Sequence, residues 1–209
     1  MPTKPKKPAK KPPRKPVSKP VRKPPGKPTV KKPLRGDDVL WDVIARVKKK
    51  SKGDLEDAIL AFEHELGKLD DATLLRVEAA FSDAMRRAND WSLWGAAYVI
   101  HGVISDDMFW DVRAGLVALG REVFEAALAD PDSLASVKDL VECTLFEGFQ
   151  YVPDEVLEER GLESTAKPGG PGAKITGKKW NMTQLEAGEN GALIKRFPRL
   201  YKRFKDNLE

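Results

Sequence analysis

WSLWGAAYVIHGVISDDMFWDVRAGLVALGREVFEAALAD, residues 91–130, reads as three helices in a row. The apolar run from Trp91 forms one helix to about His101, and Gly102 stops it. Ser105 then has the chemistry of an N-cap, with Asp106 and Asp107 where a helix dipole favours negative charge. Phe109, Val112, Leu116 and Leu119 recur at helical spacing, and Gly120 ends that helix. REVFEAALAD forms a shorter third helix, cut by Pro131.

The same grammar extends in both directions. Upstream, Val39, Leu40, Val43, Ile44 and Val47 share a helical face that begins near Asp37, with Lys48, Lys49 and Lys50 at its C-terminus and a break at Gly53. A helix follows from about Asp54 to Leu66, with Gly67 expected as its C′ residue. Another spans about Asp71 to Asn89, with Leu74, Val77, Phe81, Ala84, Met85 and Ala88 inward. Downstream, Ser133 is expected to cap a helix through Val137, Leu140, Val141 and Leu145, and Pro153 to Arg160 is expected to form the next, closed by Gly161. No period-two alternation marks a strand. The fold class expected is all-α.

Two segments depart from this body. Residues 1–36 hold fourteen Lys or Arg and eleven Pro, with no Asp, Glu, Phe, Tyr or Trp. Such a segment has no apolar surface to offset the entropy of ordering, and its prolines favour extended polyproline geometry. It is expected to be a disordered tail. Residues 37–163 are expected to be the helical domain, and 164–179, rich in Gly, Pro and Lys, a mobile linker. Residues 180–209 are expected to be a basic helical segment docked by its aromatics. Within it, Thr183 and Glu186 have capping-box spacing and Pro198 can open a helical turn.

Charge divides the chain more sharply than its net +5 suggests. Residues 1–36 carry +14, residues 37–166 carry −15 and residues 167–209 carry +6. A polycationic tail of this kind seeks polyanions, nucleic acid above all. The expected contacts are Lys4, Lys6, Lys7, Lys10, Lys11, Arg14, Lys15, Lys19, Arg22, Lys23, Lys27, Lys31, Lys32 and Arg35. The acidic body is in turn a surface suited to a protein partner. Cys143 is the lone cysteine, which fits a reducing compartment. No run of roughly 18 apolar residues offers a membrane span, and no apolar stretch follows the basic N-terminus as in a secretory signal. The expectation is a cytoplasmic protein.

Chemistry-bearing patterns are sparse. Metal-ligand pairs of Cys or His, calcium loops, phosphate-cradling glycine motifs and nucleophile elbows are all absent from the sequence, so no metal and no cofactor is expected. His64 falls in a polar stretch and reads as solvent-facing. His101, close in sequence to Ser105, Asp106 and Asp107, is the residue best placed for acid–base work; packing at a helix end explains it more simply. Trp91, Trp94 and Tyr98, followed by Phe109 and Trp110, form an aromatic cluster that reads first as core and second as a ligand wall.

The run WSLWGAAYVIHGVISDDMFWDVRAGLVALGREVFEAALADPDSLA resembles the bacterial domain-of-unknown-function family 4240, through its W-x-L-W-G-A-A-Y, S-D-D-x-F and G-R-E-V-F-E-A-A-L-A-D-P-D-S-L elements. The similarity covers about residues 38–163, and RFPRLYKRF looks like the end of many members; the basic tail lies outside it. The resemblance implies a helical cytoplasmic domain and brings no activity or cofactor. It implies that a shared site includes some of Trp91, Trp94, Gly95, Ser105, Asp106, Asp107, Arg121 and Glu122, or that these residues only encode the fold, while His101 falls where members vary. The function expected is that of a non-enzymatic binding protein whose tail contacts nucleic acid. The alternatives are an interaction module built on the acidic body and an enzyme using the region His101–Asp107.

Overall fold

Most helices read from spacing and capping residues form near their expected bounds. The computed structural model describes residues 36–145, 147–166, 170, 172–186 and 188–208. The fourteen basic tail residues named above lie outside the described residues. The helices are α1 (Gly36–Ser51), α2 (Leu55–Gly67), α3 (Asp71–Arg87), α4 (Trp91–His101), α5 (Asp106–Ala118), α6 (Arg121–Ala129), α7 (Leu140–Thr144), α8 (Val152–Glu159), α9 (Met182–Glu186), α10 (Gly191–Arg196) and α11 (Pro198–Phe204), with 3₁₀ turns at Pro131–Ser136 and Lys205–Leu208. The described residues contain no strand, only an isolated bridge between Asp90 and Thr176. The chain is all-α.

Side-chain caps set most of the starts. Asp54, Asp70, Asp90 and Ser105 each accept a backbone N–H from the first turn that follows them. Gly102, at φ 76°, ends α4 in the left-handed region that a side chain would strain.

Three expectations need correction. The helix expected from Ser133 to Leu145 is a 3₁₀ turn and the short α7, separated by extended Val137 and left-handed Asp139. Asp130 accepts from Asp132 N, and Ser136 Oγ donates to Ser133 O, so local hydrogen bonds hold the tight turn. Gly67 is the last residue of α2 rather than its C′ glycine, because Lys68 closes the helix in the right-handed region. Met182 already belongs to α9, and Asn181 Oδ1 accepts from Gln184 N, so Asn181 rather than Thr183 serves that helix start.

Aromatic contacts join the helices of the core. Phe62 stacks on Phe149 at 4.5 Å with 15° between planes, and Phe81 tilts against both, which ties α2 and α3 to the turn before α8. Trp41 meets Phe124 at 5.2 Å and joins α1 to α6. Helix α4 is apolar on nearly every side, and a helix of that kind must be enclosed. It packs against α5, α7, α10, α11 and both 3₁₀ turns. Trp94 is 4% exposed and stacks on Tyr98, whose hydroxyl donates to Leu185 O at 3.3 Å. Trp94, Phe109, Leu116 and Phe124 are buried as expected, whereas Tyr98 is half-buried because its hydroxyl end reaches the C-terminal segment.

Part of the stretch expected as a linker makes hydrogen bonds to the helical domain. Asn89 Nδ2 donates to Ala173 O and Lys174 O, while Thr176 N and Oγ1 donate to Asn89 O. Trp180 then lies across α4, its Nε1 donating to Trp91 O at 2.5 Å. A Cβ on Gly95 would strike that indole at 2.5 Å, so the glycine permits the close approach. Gly115 does the same for α5 against the backbone of Cys143 and Thr144.

Candidate functional site

Of the residues singled out from sequence, Trp91 and Trp94 meet, with ring centres 5.4 Å apart, while the others serve separate contacts. Trp91 is half-buried, with Lys179 Nζ 5.4 Å from its ring centre. Ser105 Oγ accepts from Met108 N at 3.2 Å, and Asp106 and Asp107 stand exposed in the first turn of α5. Arg121 pairs with Asp38 of α1 at 2.7 Å, and Glu122 is exposed beside it. His64 is exposed.

His101 Nε2 lies 3.1 Å from Thr144 Oγ1. That hydroxyl already donates to Leu140 O at 2.6 Å, so it accepts from His101, which fixes the Nε2–H tautomer. Burial holds the imidazole down at about 4, and the ring is neutral at physiological pH. It ties α4 to α7.

A different set of residues surrounds a cleft of about 690 Å³. Helix α3 contributes Glu78, Phe81, Ser82 and Met85; α5 contributes Trp110; Gln150 precedes α8, which adds Pro153, Asp154, Leu157 and Glu158. The chain beyond α8 closes it with Leu162, Glu163 and Ser164. Trp110 is held by an edge-on contact with Tyr151 at 5.1 Å and 88°. The cleft combines apolar walls with several acceptors, and no Lys or Arg among the described residues lines it.

Two of those acceptors are buried without a donor. Glu78 is 3% exposed; one of its oxygens accepts from Ser164 Oγ at 2.9 Å and the other, Oε2, has no hydrogen-bond partner. Gln150 is 4% exposed; its Nε2 donates to Asp111 Oδ1 at 2.6 Å, and its Oε1 has none. The Asp111 contact fixes the amide orientation, since a carboxylate oxygen needs the NH₂ end. Burial raises the Glu78 carboxyl, the Ser164 hydrogen bond opposes that rise, and Asp154 adds to it. Asp154 itself is raised by burial. Burial, with Glu147 and then Asp107 adding repulsion, pushes Asp111 up to about 6 against the hydrogen bond from Gln150.

The other deeply buried carboxylates are treated differently. Glu65, 3% exposed, has Arg46, Lys50 and Lys68 within 2.9 Å, and the Lys50 and Lys68 hydrogen bonds foremost hold it at about 2 despite burial. Asp132 receives Leu200 N, Arg199 N and Arg199 Nε. Burial alone would raise it, but those donors bring it below its ordinary value. Glu78 has a hydroxyl where these have cations.

Sequence reasoning missed this site. Glu78 lies at i+4 from Leu74 and i−3 from Phe81, inside the apolar stripe of α3, and a carboxylate in that position was the available signal. Gln150 and Asp111 give no such sign, because their burial depends on the packing of α5 against the α8 region. Among the described residues no three His, Cys, Asp or Glu come together as metal ligands. No curated protein and no solved structure matches the chain. The family described as "Protein of unknown function (DUF4240)" matches residues 37–159, from the start of α1 to the end of α8 and including every acceptor of the cleft except Ser164 and Glu163, and the chain belongs to that family.

Proposed function

We propose that this chain is a non-enzymatic cytoplasmic binding protein that contacts nucleic acid, without sequence preference, through residues 1–36. The observation that carries the proposal is fourteen cations in 36 residues with no acid among them. Lysines on an extended chain reach phosphates and lack the rigid frame needed to read base edges. The body is a poor source of the same activity. Arg46, Lys50, Lys68, Arg86, Arg87, Arg121 and Arg160 are engaged in ion pairs, and Arg113 is buried with its guanidinium donating to Phe109 O and Met85 O. In the C-terminal segment, Arg199 pairs with Asp130 and Asp132, and Arg203 donates to Ala135 O and Val137 O. Residues 37–166 carry −15, which repels phosphate.

The cytoplasmic assignment rests on the lone Cys143, whose thiol burial raises above its ordinary value and which is therefore suited to the reduced state. No helix among the described residues is long and apolar enough to cross a membrane. The proposal is tested by titrating a labelled duplex with the full chain and with residues 37–209. The full chain is expected to bind and the shortened chain to lose that binding. Equal binding by both would refute the assignment to the tail.

A further inference from the structure

We propose that the cleft between α3, α5 and α8 binds an organic cation with several N–H donors, an alkylammonium or a guanidinium. The proposal is independent of the tail.

Its first support is the pair of orphaned acceptors. Burying a polar atom without a partner costs roughly 1–3 kcal/mol, and more if it is charged. Glu78 Oε2 and Gln150 Oε1 are both in that state, on residues that line one cleft. Neither can be relieved by turning the group around, because Ser164 engages the other oxygen of Glu78 and Asp111 requires Nε2 of Gln150. These two acceptors are what the chain leaves without a donor in this cleft.

The second support is charge. Glu65 and Asp132 show how this chain compensates a buried carboxylate, with Lys or Arg at 2.6–2.9 Å. Among the described residues Glu78 has no such partner, and the acids lining the same cleft are Asp154, Glu158 and Glu163. A cation supplied from outside completes the pattern. A metal ion fits less well, since the acids do not converge as a ligand set. The third support is shape. Phe81, Met85, Trp110 and Leu157 offer apolar walls to an alkyl stem and an indole suited to a cation. A volume of about 690 Å³ suits a molecule of amino-acid size. Ser164 donates to Glu78 Oε1, so its hydrogen bond can persist while Oε2 takes a donor from the ligand.

The test is calorimetric titration of the full-length protein with butylguanidinium and butylammonium, and with butanol and butyrate as neutral and anionic controls. An acetyl-Ala-Arg-Ala-amide peptide distinguishes a free cation from a partner's side chain. Saturable binding of at least one cationic probe is expected, and none of butanol or butyrate. Peptide binding with weak binding of the small cations assigns the site to a protein side chain; the reverse assigns it to a free cation. Glu78→Gln keeps the shape and removes the charge, and Asp154→Asn does the same at the rim. Each is expected to weaken binding about tenfold or more, the usual worth of a charged hydrogen bond. Glu78→Gln is also expected to melt no lower than wild type, because it removes an uncompensated buried charge. If it fails to fold, Asp154→Asn and the response of the Trp110 indole N–H resonance decide. The proposal is overturned if no cationic probe, small or peptide-borne, saturates, if butanol binds as tightly, or if the folded variants bind like wild type.

Discussion

Glu65 and Glu78 show what one residue's surroundings decide. Both are acids on apolar helix faces, both are 3% exposed, and their carboxyls move in opposite directions from the same ordinary value. Three cations account for the first, and burial without a cation for the second. Asp111 belongs with Glu78, and its effect on stability has a definite sign. Below its ordinary 3.8 it is protonated folded and unfolded, and contributes nothing. Above about 6 it is charged in both states, and the folded state bears the full cost. Asp111→Asn is therefore expected to stabilise the protein at pH 7, by about 1–2 kcal/mol after allowance for its partial exposure, and to do nothing near pH 3. Urea unfolding at the two pH values measures this; equal effects at both would show that the carboxyl is not perturbed. Trp94→Ala is expected to cost about 3–5 kcal/mol, the range for a large buried aromatic. An unchanged melting temperature would contradict its place in the core. Trp94 was legible in sequence because an apolar run of that density has to be enclosed. Gln150 was not, because nothing local marks a polar residue that packing will bury.

Helix starts were legible to within a residue near Asp54, Asp71 and Ser105, since a cap is a contact over two or three residues, whereas the same signal misled at Ser133 and Thr183. The segment 131–145 was not, because an apolar spacing of three or four also suits a 3₁₀ turn followed by a break. The attachment of the C-terminal helices was legible only as an aromatic composition. Its specific link is Asp132, which receives two backbone N–H groups at the start of α11 and the Arg199 guanidinium across 67 residues of chain. Asp132→Ala is expected to cost about 2 kcal/mol, since Arg199 itself is solvent-exposed and the backbone donors carry most of the effect. The loss should be local, seen as faster amide exchange at Leu200 to Phe204, with α2 and α3 unchanged. Exchange that rises uniformly over all helices would mean α11 is part of the global folding unit.

At the scale of the molecule the decisive property is the separation of charge. A helical body at −15 whose cations are largely committed to internal pairs carries an N-terminal segment at +14 that has no internal acid to pair with. This feature was fully legible in the sequence, because it needs only a count along the chain. The central claim is that the tail binds nucleic acid through phosphate neutralisation, and salt dependence reads that directly. The measurement is the affinity of the full chain for two unrelated labelled duplexes over a series of salt concentrations. Binding releases about 0.9 counterion per phosphate contacted, so six contacts predict a log–log slope of about −5, the same for both duplexes. A slope near zero, or a strong preference for one duplex, would contradict the account.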